Sequence, residues 1–352
     1  MLTLPGLIDT HVHLREPGAT QKEDFATGTK AAIAGGYTTV LDMPNNPEPT
    51  ISPQALDKKI SLATGRIYCD VGFNFGGTLE SSQYFNQIKN KVFGLKVYMN
   101  HTTGTLLQED HKSLQTIFEK WPKERVLIVH AEKDKLALAI QLAKANGNRL
   151  HVAHVASEED ITRIRQAKLN GLPITCEVTS HHLFLIDEDV KRLGPFGRMK
   201  PALGTKQDQN ALWKALIDGA VDNIALDHAP HTIEEKRGEK SPDGVPGLET
   251  SLPLFLTAAK EGRLTIERLI ELTNTNPRKI FNIPQQFNTV VEVDMERTYT
   301  IDSSMLYTKC GWTPFEGMRV VGRVKRVVLR GNIVYKDGEV LEHPQGKVII
   351  PI

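Results

Sequence analysis

The sequence predicts an α/β protein: a (β/α)8 barrel, the TIM-barrel fold, over residues 1–285, and a small C-terminal β appendage packed on it over residues 286–352. Two observations predict this fold class. Eight short apolar runs alternate with segments of helical period, as in barrels of parallel strands. The alternative, a doubly wound open sheet, would require a glycine-rich phosphate-binding turn after the first run, and the sequence has none there.

The predicted elements alternate along the barrel. Most helices begin after a polar or small residue of the type that caps helices, and Gly35-Gly36 and Gly171 stand where helices should end. The predicted strands cover residues 6–13, 38–43, 70–75, 94–99, 126–130, 150–155, 174–178 and 223–226. The predicted helices cover residues 22–34, 53–63, 81–91, 111–120, 133–145, 158–170 and 206–217, and two more, 253–260 and 265–273, follow the last strand.

The pattern changes between residues 283 and 288. From Thr289 onward, short strands are separated by turn-forming residues at Gly331-Asn332 and at Lys336-Asp337-Gly338. The strands predicted for this appendage cover residues 298–301, 320–329 and 333–335.

Composition excludes several classes of protein. A net charge of +1 gives no reason to expect nucleic acid or an acidic membrane surface as a partner. The three cysteines, an odd number without pairing-type spacing, favour a reducing compartment and hence the cytoplasm. The start lacks the pattern of a signal peptide, and no apolar run approaches the roughly 20 residues of a membrane span.

The end of the first strand carries the first indication of chemistry. His11 and His13 are two residues apart, so in a strand they point to the same side and could grip one metal ion. Arg15 follows with the same spacing and could hold a carboxylate. A histidine-rich strand end without a metal is the alternative interpretation of the same residues.

Other polar residues fall at or near the carboxyl ends of later strands, where barrels of this kind carry out their chemistry. Lys96 lies between two apolar residues of the fourth strand, where its charge should be paired, removed or extended to solvent. A lysine carboxylated by carbon dioxide would supply an anion able to bridge two metal ions, and zinc suits such nitrogen and oxygen ligands. Spacing alone leaves both interpretations of Lys96 open. The remaining polar residues at strand ends are Asn45, His130, His154, Asp227, His228 and His231.

Together these residues resemble the amidohydrolase superfamily, and further motifs are similar to those of the dihydroorotases. The resemblance covers nearly the whole chain and is greatest to dihydroorotase domains fused to carbamoyl-phosphate synthetase and aspartate transcarbamoylase. The motifs that carry it are Pro5-Gly6-Leu7-Ile8-Asp9-Thr10-His11-Val12-His13, His13-Leu14-Arg15-Glu16-Pro17, Met43-Pro44-Asn45, Asp227-His228-Ala229-Pro230-His231, Pro246-Gly247-Leu248-Glu249-Thr250 and Trp312-Thr313-Pro314-Phe315-Glu316-Gly317.

The resemblance implies a metal-dependent hydrolase barrel with two zinc ions. His11, His13 and Asp227 would hold one ion, His130 and His154 the other, and N6-carboxylated Lys96 would bridge them. Thr102 corresponds to a residue of a mobile lid, and Glu177 to a residue of a third zinc site. The residues implied in substrate binding are Arg15, Asn45, Lys200, His231, Asp243 and Gly244.

Some positions depart from the family pattern. Ala153 stands where close relatives have a cysteine ligand, so we expect no third zinc. Lys200 stands where relatives have an arginine, and Arg198 could compensate. Thr103 replaces an aromatic lid residue. The barrel begins almost at Met1, without the strands that usually precede it, which favours a domain of a longer polypeptide associated with other pyrimidine-synthesis enzymes.

The implied reaction is the reversible cyclisation of N-carbamoyl-L-aspartate to L-dihydroorotate in pyrimidine synthesis. The resemblance implies a bridging hydroxide as nucleophile in the hydrolytic direction, Asp227 as proton shuttle and a homodimer. One alternative is another cyclic amidohydrolase, of the hydantoinase or allantoinase type, which Arg15 and Asn45 disfavour. The other is an inactive scaffold domain, which the six intact ligand positions disfavour.

Overall fold

Eight parallel strands form the barrel in the computed structural model, which describes residues 1–341 and 343–352. The fourteen strands described are β1 (Leu2–Pro5), β2 (Leu7–Val12), β3 (Tyr37–Asp42), β4 (Asp70–Phe73), β5 (Phe75–Gly76), β6 (Gly94–Tyr98), β7 (Val126–His130), β8 (Arg149–Val152), β9 (Ile174–Val178), β10 (Asn223–Ile224), β11 (Val290–Thr300), β12 (Arg319–Leu329), β13 (Asn332–Lys336) and β14 (Glu339–Val340). One parallel sheet has the order β2-β3-β4 and the other the order β10-β9-β8-β7-β6-β5.

The two parallel sheets join into one barrel. A parallel bridge between Val12 and His228 connects β2 to the segment that follows β10. On the other side, only Asn74 separates β4 from β5, so these two short strands occupy one barrel position. The predicted (β/α)8 architecture is confirmed.

Helices connect most of the barrel strands. The described α-helices are α1 (Phe25–Ala34), α2 (Pro53–Ala63), α3 (Phe85–Ile88), α4 (His111–Lys120), α5 (Lys133–Asn146), α6 (Glu158–Leu169), α7 (Ser180–Phe184), α8 (Asp189–Leu193), α9 (Lys206–Ile217), α10 (Ile233–Arg237), α11 (Ser251–Lys260), α12 (Ile266–Ile270) and α13 (Asn276–Phe281). Several have side-chain N-caps, such as Asp24, Ser52 and Thr205, which satisfy amide groups of the first turn. No helix in the described part of the chain combines the length and apolar character needed to cross a bilayer.

Four predicted elements differ from the structure. Strands β8 and β10 are shorter than predicted, and the chain takes a left-handed backbone conformation shortly after each, at His154 (φ 37°) and Asp227 (φ 46°). The predicted helix at 81–91 is a 3-10 turn, Glu80–Tyr84, followed by the single-turn α3. The helix predicted at 265–273 continues past α12 as a π-helical turn, Glu271–Thr275, which leads into α13.

The appendage is an antiparallel sheet with the strand order β1-β11-β12-β13-β14. The first barrel strand, β2, begins at Leu7, next to the predicted residue 6, but the expectation that no strand precedes the barrel is wrong. Strand β1 precedes it and pairs with β11, from Leu2 opposite Val293 to Pro5 opposite Val290. Residues from both ends of the chain therefore build this sheet. The division at residue 285 remains a prediction, with β1 lying outside the barrel sheets.

Candidate metal centre

Two histidines at the end of β2 meet an aspartate that follows β10. The rings of His11 and His13 have centroids 5.4 Å apart. The Nε2 atoms of His13 and His11 lie 3.0 Å and 3.4 Å from Oδ1 of Asp227. All three side chains are buried, so the predicted first metal position has its three ligands in one place.

Two further histidines complete the cluster. Nδ1 of His130, the last residue of β7, lies 2.8 Å from Nε2 of His154. The ring of His154 is also 5.2 Å from that of His11. Ligand atoms of His11, His154 and Asp227 all lie within 4.8 Å of one another, close enough to share one ion. The four predicted histidines and Asp227 therefore converge at the carboxyl ends of the strands.

Lys96 is buried inside the barrel, with Nζ 5.3 Å from the centroid of the Tyr98 ring. Its side chain is 0% exposed, and within the described part of the chain Nζ has no hydrogen-bond partner. Burial lowers the pKa of this amine to about 8, although the charges of Glu177 and Asp227 oppose the shift. Lys59, which is also fully buried, pairs with Asp42 at 2.6 Å and donates to Met43 O at 2.8 Å. Lys96 thus lacks the hydrogen bonds and the short ion pair that compensate for the burial of Lys59.

The donor set fits a metal centre. Apart from Lys96 Nζ, buried ring nitrogens of His130 (Nε2) and His154 (Nδ1) also lack hydrogen-bond partners among the described residues, and such orphans are costly unless something satisfies them. Burial lowers the pKa of His13 to about 4 and that of His130 to about 3, so both rings are neutral near pH 7. Neutral imidazole is the form that binds a metal.

Glu177 lies behind His11 rather than in the cavity. Its Oε1 is 2.5 Å from Nδ1 of His11, and its Oε2 is 3.1 Å from Nε2 of His151. Thr10 donates to Oε2 at 3.3 Å, and the His154 amide donates to Oε1 at the same distance. A carboxylate bound to the second nitrogen of a ligand histidine fixes that ring's tautomer and orientation.

His151 was missed in the sequence, where it is most simply interpreted as a surface or packing residue. The structure buries it completely between Glu177 and Thr175, whose Oγ1 is 2.8 Å from His151 Nδ1. The only sequence indication is a histidine between two apolar residues in a predicted barrel strand, the same kind of indication that singles out Lys96.

Arg15 faces the metal ligands from a constrained position. Its backbone is left-handed (φ 63°), its side chain is buried, and Nε donates to the carbonyl of Pro230 at 2.9 Å. One terminal nitrogen lies 3.1 Å from Nε2 of His231. These contacts hold the guanidinium beside a small cavity lined by His13, Arg15, Asn45, Thr102, Thr103, Lys200, Asp227, Ala229, Asp243 and Gly244.

Asn45 connects the ligands to the predicted lid. Its Oδ1 is 2.8 Å from Nδ1 of His13, and its Nδ2 donates to the carbonyl of Thr103 at 2.9 Å. The hydroxyl of Thr103 donates to the carbonyl of Asp243 at 3.4 Å. The loop that carries Thr102 therefore covers the cavity in this structure.

Lys200 and Arg198 take different positions around Asp243. Each lies 3.6 Å from an oxygen of that carboxylate. Only Lys200 lines the small cavity, whereas both cations line a larger neighbouring cleft of about 690 Å³. Lys200 is thus the cation placed beside the metal ligands, and Arg198 lies further out.

The chain is similar to proteins of one family along nearly its whole length. The profile of the amidohydrolase family matches residues 2–334. The chain is 49% identical over 348 residues to the multifunctional protein CAD of Squalus acanthias, covering 98% of this chain but only 15% of that protein. It is 36% identical over 381 residues to the dihydroorotase of Methanosphaera stadtmanae, covering 97% of this chain and 87% of that enzyme.

Two solved structures have the same fold at 26% sequence identity. The L-hydantoinase of Arthrobacter aurescens superposes with a TM-score of 0.94 over 100% of this chain and 89% of its own. The inactive dihydroorotase-like domain of a CAD-like multifunctional protein from Chaetomium thermophilum superposes with a TM-score of 0.85 over 99% of both chains.

Proposed function

The chain belongs to the amidohydrolase family, among the dihydroorotases, and on this premise we propose that it interconverts N-carbamoyl-L-aspartate and L-dihydroorotate in pyrimidine synthesis. One observation supports this proposal above the others. A buried arginine, Arg15, shares a small cavity with His13 and Asp227 of the candidate metal centre. The cavity therefore offers a cation for a carboxylate beside the groups that would act on an amide.

The residues proposed to hold two zinc ions are His11, His13 and Asp227 for one ion and His130 and His154 for the other, with carboxylated Lys96 between them. When bound, the ions would lower the pKa of water and polarise the amide carbonyl. The lowered pKa of Lys96 raises the fraction of the neutral amine, which is the form that reacts with carbon dioxide.

Asp227 is the proposed proton carrier. In the hydrolytic direction water adds to the ring carbonyl carbon, and the bond from that carbon to the ring nitrogen breaks. The Asp227 carboxylate would take the proton of the attacking water and pass it to the leaving nitrogen. In the synthetic direction the same proton moves back, and water leaves.

Substrate orientation is proposed to come from the cavity wall. Arg15 and Asn45 would hold the free carboxylate, with Lys200, His231, Asp243 and Gly244 completing the wall. Holding the carboxylate fixes the distance of the amide carbon from Asp227, which is where positioning contributes to rate. Thr102 would exclude bulk water from above when its loop is closed.

The two alternative functions, a hydantoinase-type enzyme and an inactive scaffold domain, predict different results. Hydantoins lack the carboxylate that Arg15 would hold, so faster hydrolysis of hydantoin than of dihydroorotate would favour the hydantoinase alternative. An inactive domain would bind no catalytic metal, yet the six proposed ligands are all present here.

We further propose that the chain is fused to, or associated with, other enzymes of pyrimidine synthesis, and that it forms a homodimer in the cytoplasm. The match to 15% of a multifunctional protein supports the first part. Three free, buried cysteines support a reducing compartment. Sedimentation of the purified chain tests the homodimer.

The deciding experiment measures zinc per chain together with dihydroorotate hydrolysis, followed by ultraviolet absorbance. We expect about two zinc ions and hydrolysis, as the six proposed ligands imply. A chain that stays inactive and metal-free after addition of zinc and bicarbonate would overturn the proposal in favour of the scaffold alternative.

A further inference from the structure

His228, the residue after Asp227, is fully buried and does not line the small cavity beside the metal centre. The backbone of His228 nevertheless contacts a residue of that centre. The carbonyl of His228 accepts the amide of His13 at 2.8 Å, and its backbone forms parallel bridges to Val12 and Val245. A shift of His228 would therefore move Asp227 and His13 together.

Both nitrogens of the His228 ring have defined neighbours. Nδ1 accepts a hydrogen bond from the amide of Gly247 at 3.1 Å, so in the neutral ring the proton is on Nε2. Nε2 has no hydrogen-bond partner among the described residues, but it lies 3.4 Å from Oε2 of Glu23, which is 0% exposed. A protonated ring nitrogen thus faces a buried carboxylate.

The neighbours of both ring nitrogens lead to one loop, residues 307–309, which lies in the connection between β11 and β12 of the antiparallel sheet. Glu23 accepts the hydroxyl of Thr308 and, at 3.3 Å, the amide of Lys309. Glu249, two residues after Gly247, accepts the amides of Tyr307 and Thr308 at 2.7 Å and 3.0 Å. The loop therefore binds both the carboxylate that faces Nε2 and a carboxylate close in sequence to the amide that donates to Nδ1.

We propose that His228 is a positioning residue for Asp227, held at Nδ1 by the Gly247 amide and faced at Nε2 by Glu23, a carboxylate that the 307–309 loop contacts. The inference rests on the proposed function only where turnover is measured. It assigns a role to the second residue of the Asp227–His231 motif and to Glu249 of the Pro246–Thr250 motif, neither of which touches the proposed substrate site.

Three variants of His228 separate the two contacts of its ring. Asn keeps an acceptor at the position of Nδ1 but loses the contact to Glu23. Gln keeps a donor that can reach Glu23 but loses the acceptor for Gly247. Ala loses both. We expect zinc loss to excess chelator to be about 10- to 100-fold faster in His228→Ala than in wild type, with kcat lower by a similar factor and KM nearly unchanged.

The two single-contact variants, His228→Asn and His228→Gln, should lie between wild type and His228→Ala. Glu23→Ala should resemble His228→Asn, and the double variant should be no worse than either, because both changes remove the same contact. Lys309→Ala is the matched control: it removes the side-chain ion pair of the same loop with Asp24 and leaves the backbone amide that donates to Glu23. It should retain zinc like wild type.

Zinc retention keeps this inference separate from the proposed function. If wild type holds zinc but does not hydrolyse dihydroorotate, the function fails and the zinc results still decide the role of His228. Zinc retention and kcat within about twofold of wild type in His228→Ala would overturn the inference. If His228→Ala does not fold, the same result in both His228→Asn and His228→Gln would overturn it. A wild-type chain that binds no zinc would overturn both proposals.

Discussion

Nδ1 of His11 lies 2.5 Å from Oε1 of Glu177, which leaves Nε2 as the ring nitrogen that faces Asp227. The contact has a consequence for metal content. Glu177 already accepts hydrogen bonds from His11, His151 and Thr10, and the neighbouring Ala153 offers no ligand atom. We therefore expect Glu177 to orient His11, and we expect two zinc ions per chain rather than three.

Glu177→Gln tests this role. The amide would keep the shape but weaken the hydrogen bond to His11, so zinc affinity should fall about 10- to 100-fold. Titration of the apoprotein with zinc, in competition with a chromophoric chelator, measures the change. Loss of one ion from a wild-type total of three, with the other two bound as before, would instead identify Glu177 as a ligand. Asp160→Asn, a buried carboxylate that accepts the amide of Lys133 away from the ligands, serves as control.

Lys96→Ala should bind much less zinc and lose nearly all turnover, because the proposed bridge would be missing. A short carboxylic acid such as acetate or propionate could enter the vacated volume, so its addition should restore part of both. The measurements are zinc per chain and the rate of dihydroorotate hydrolysis, each with and without the acid. Full zinc occupancy in Lys96→Ala without added acid would refute the bridge.

Lys59→Ala distinguishes the proposed bridge from the general effect of removing a buried lysine. Its loss leaves the Asp42 carboxylate buried and unpaired, which should destabilise the fold by about 3–5 kcal/mol. Thermal unfolding should therefore shift in this variant. An added carboxylic acid should restore nothing, because the missing group is a cation.

Sequence patterns predicted the barrel and the convergence of the candidate ligands for one physical reason. Parallel strands end at the same edge of a barrel, so polar residues at their ends must meet there, as His130 and His154 do. Patterns could not predict that β1 pairs with β11, because a short strand at the start of a chain carries no information on its partner. They also could not show the contacts of Glu177 and His228, which join residues from distant parts of the sequence.

Asp227→Asn should keep the fold and lower kcat by about 10²- to 10⁴-fold, the usual range for a lost acid–base group. The amide keeps a side-chain oxygen but cannot carry the proton. Because the change also weakens a proposed ligand, zinc per chain must be measured in the same preparation, and turnover compared per bound zinc pair. Turnover per zinc pair close to that of wild type would exclude Asp227 as the proton carrier.

Arg15→Gln tests which feature of the substrate the cavity selects. If Arg15 holds the carboxylate of dihydroorotate, loss of a charged hydrogen bond worth about 1.5–3 kcal/mol should lower kcat/KM by roughly 10- to 150-fold. Dihydrouracil is the same ring without the carboxylate. We expect wild type to hydrolyse it more slowly than dihydroorotate, and we expect Arg15→Gln to change that slower hydrolysis little. The ratio of the two kcat/KM values, in wild type and in variant, is the measurement.

Arg198→Gln provides the comparison, because this cation lies 3.6 Å from Asp243 but outside the small cavity. We expect its preference for dihydroorotate over dihydrouracil to match that of wild type. An equal loss on both substrates in Arg15→Gln would mean that Arg15 supports the fold of the site through Pro230 and His231 rather than the carboxylate. A loss confined to dihydroorotate would assign the carboxylate to Arg15 and exclude a hydantoinase-type preference, because only a substrate with that group could gain from the arginine.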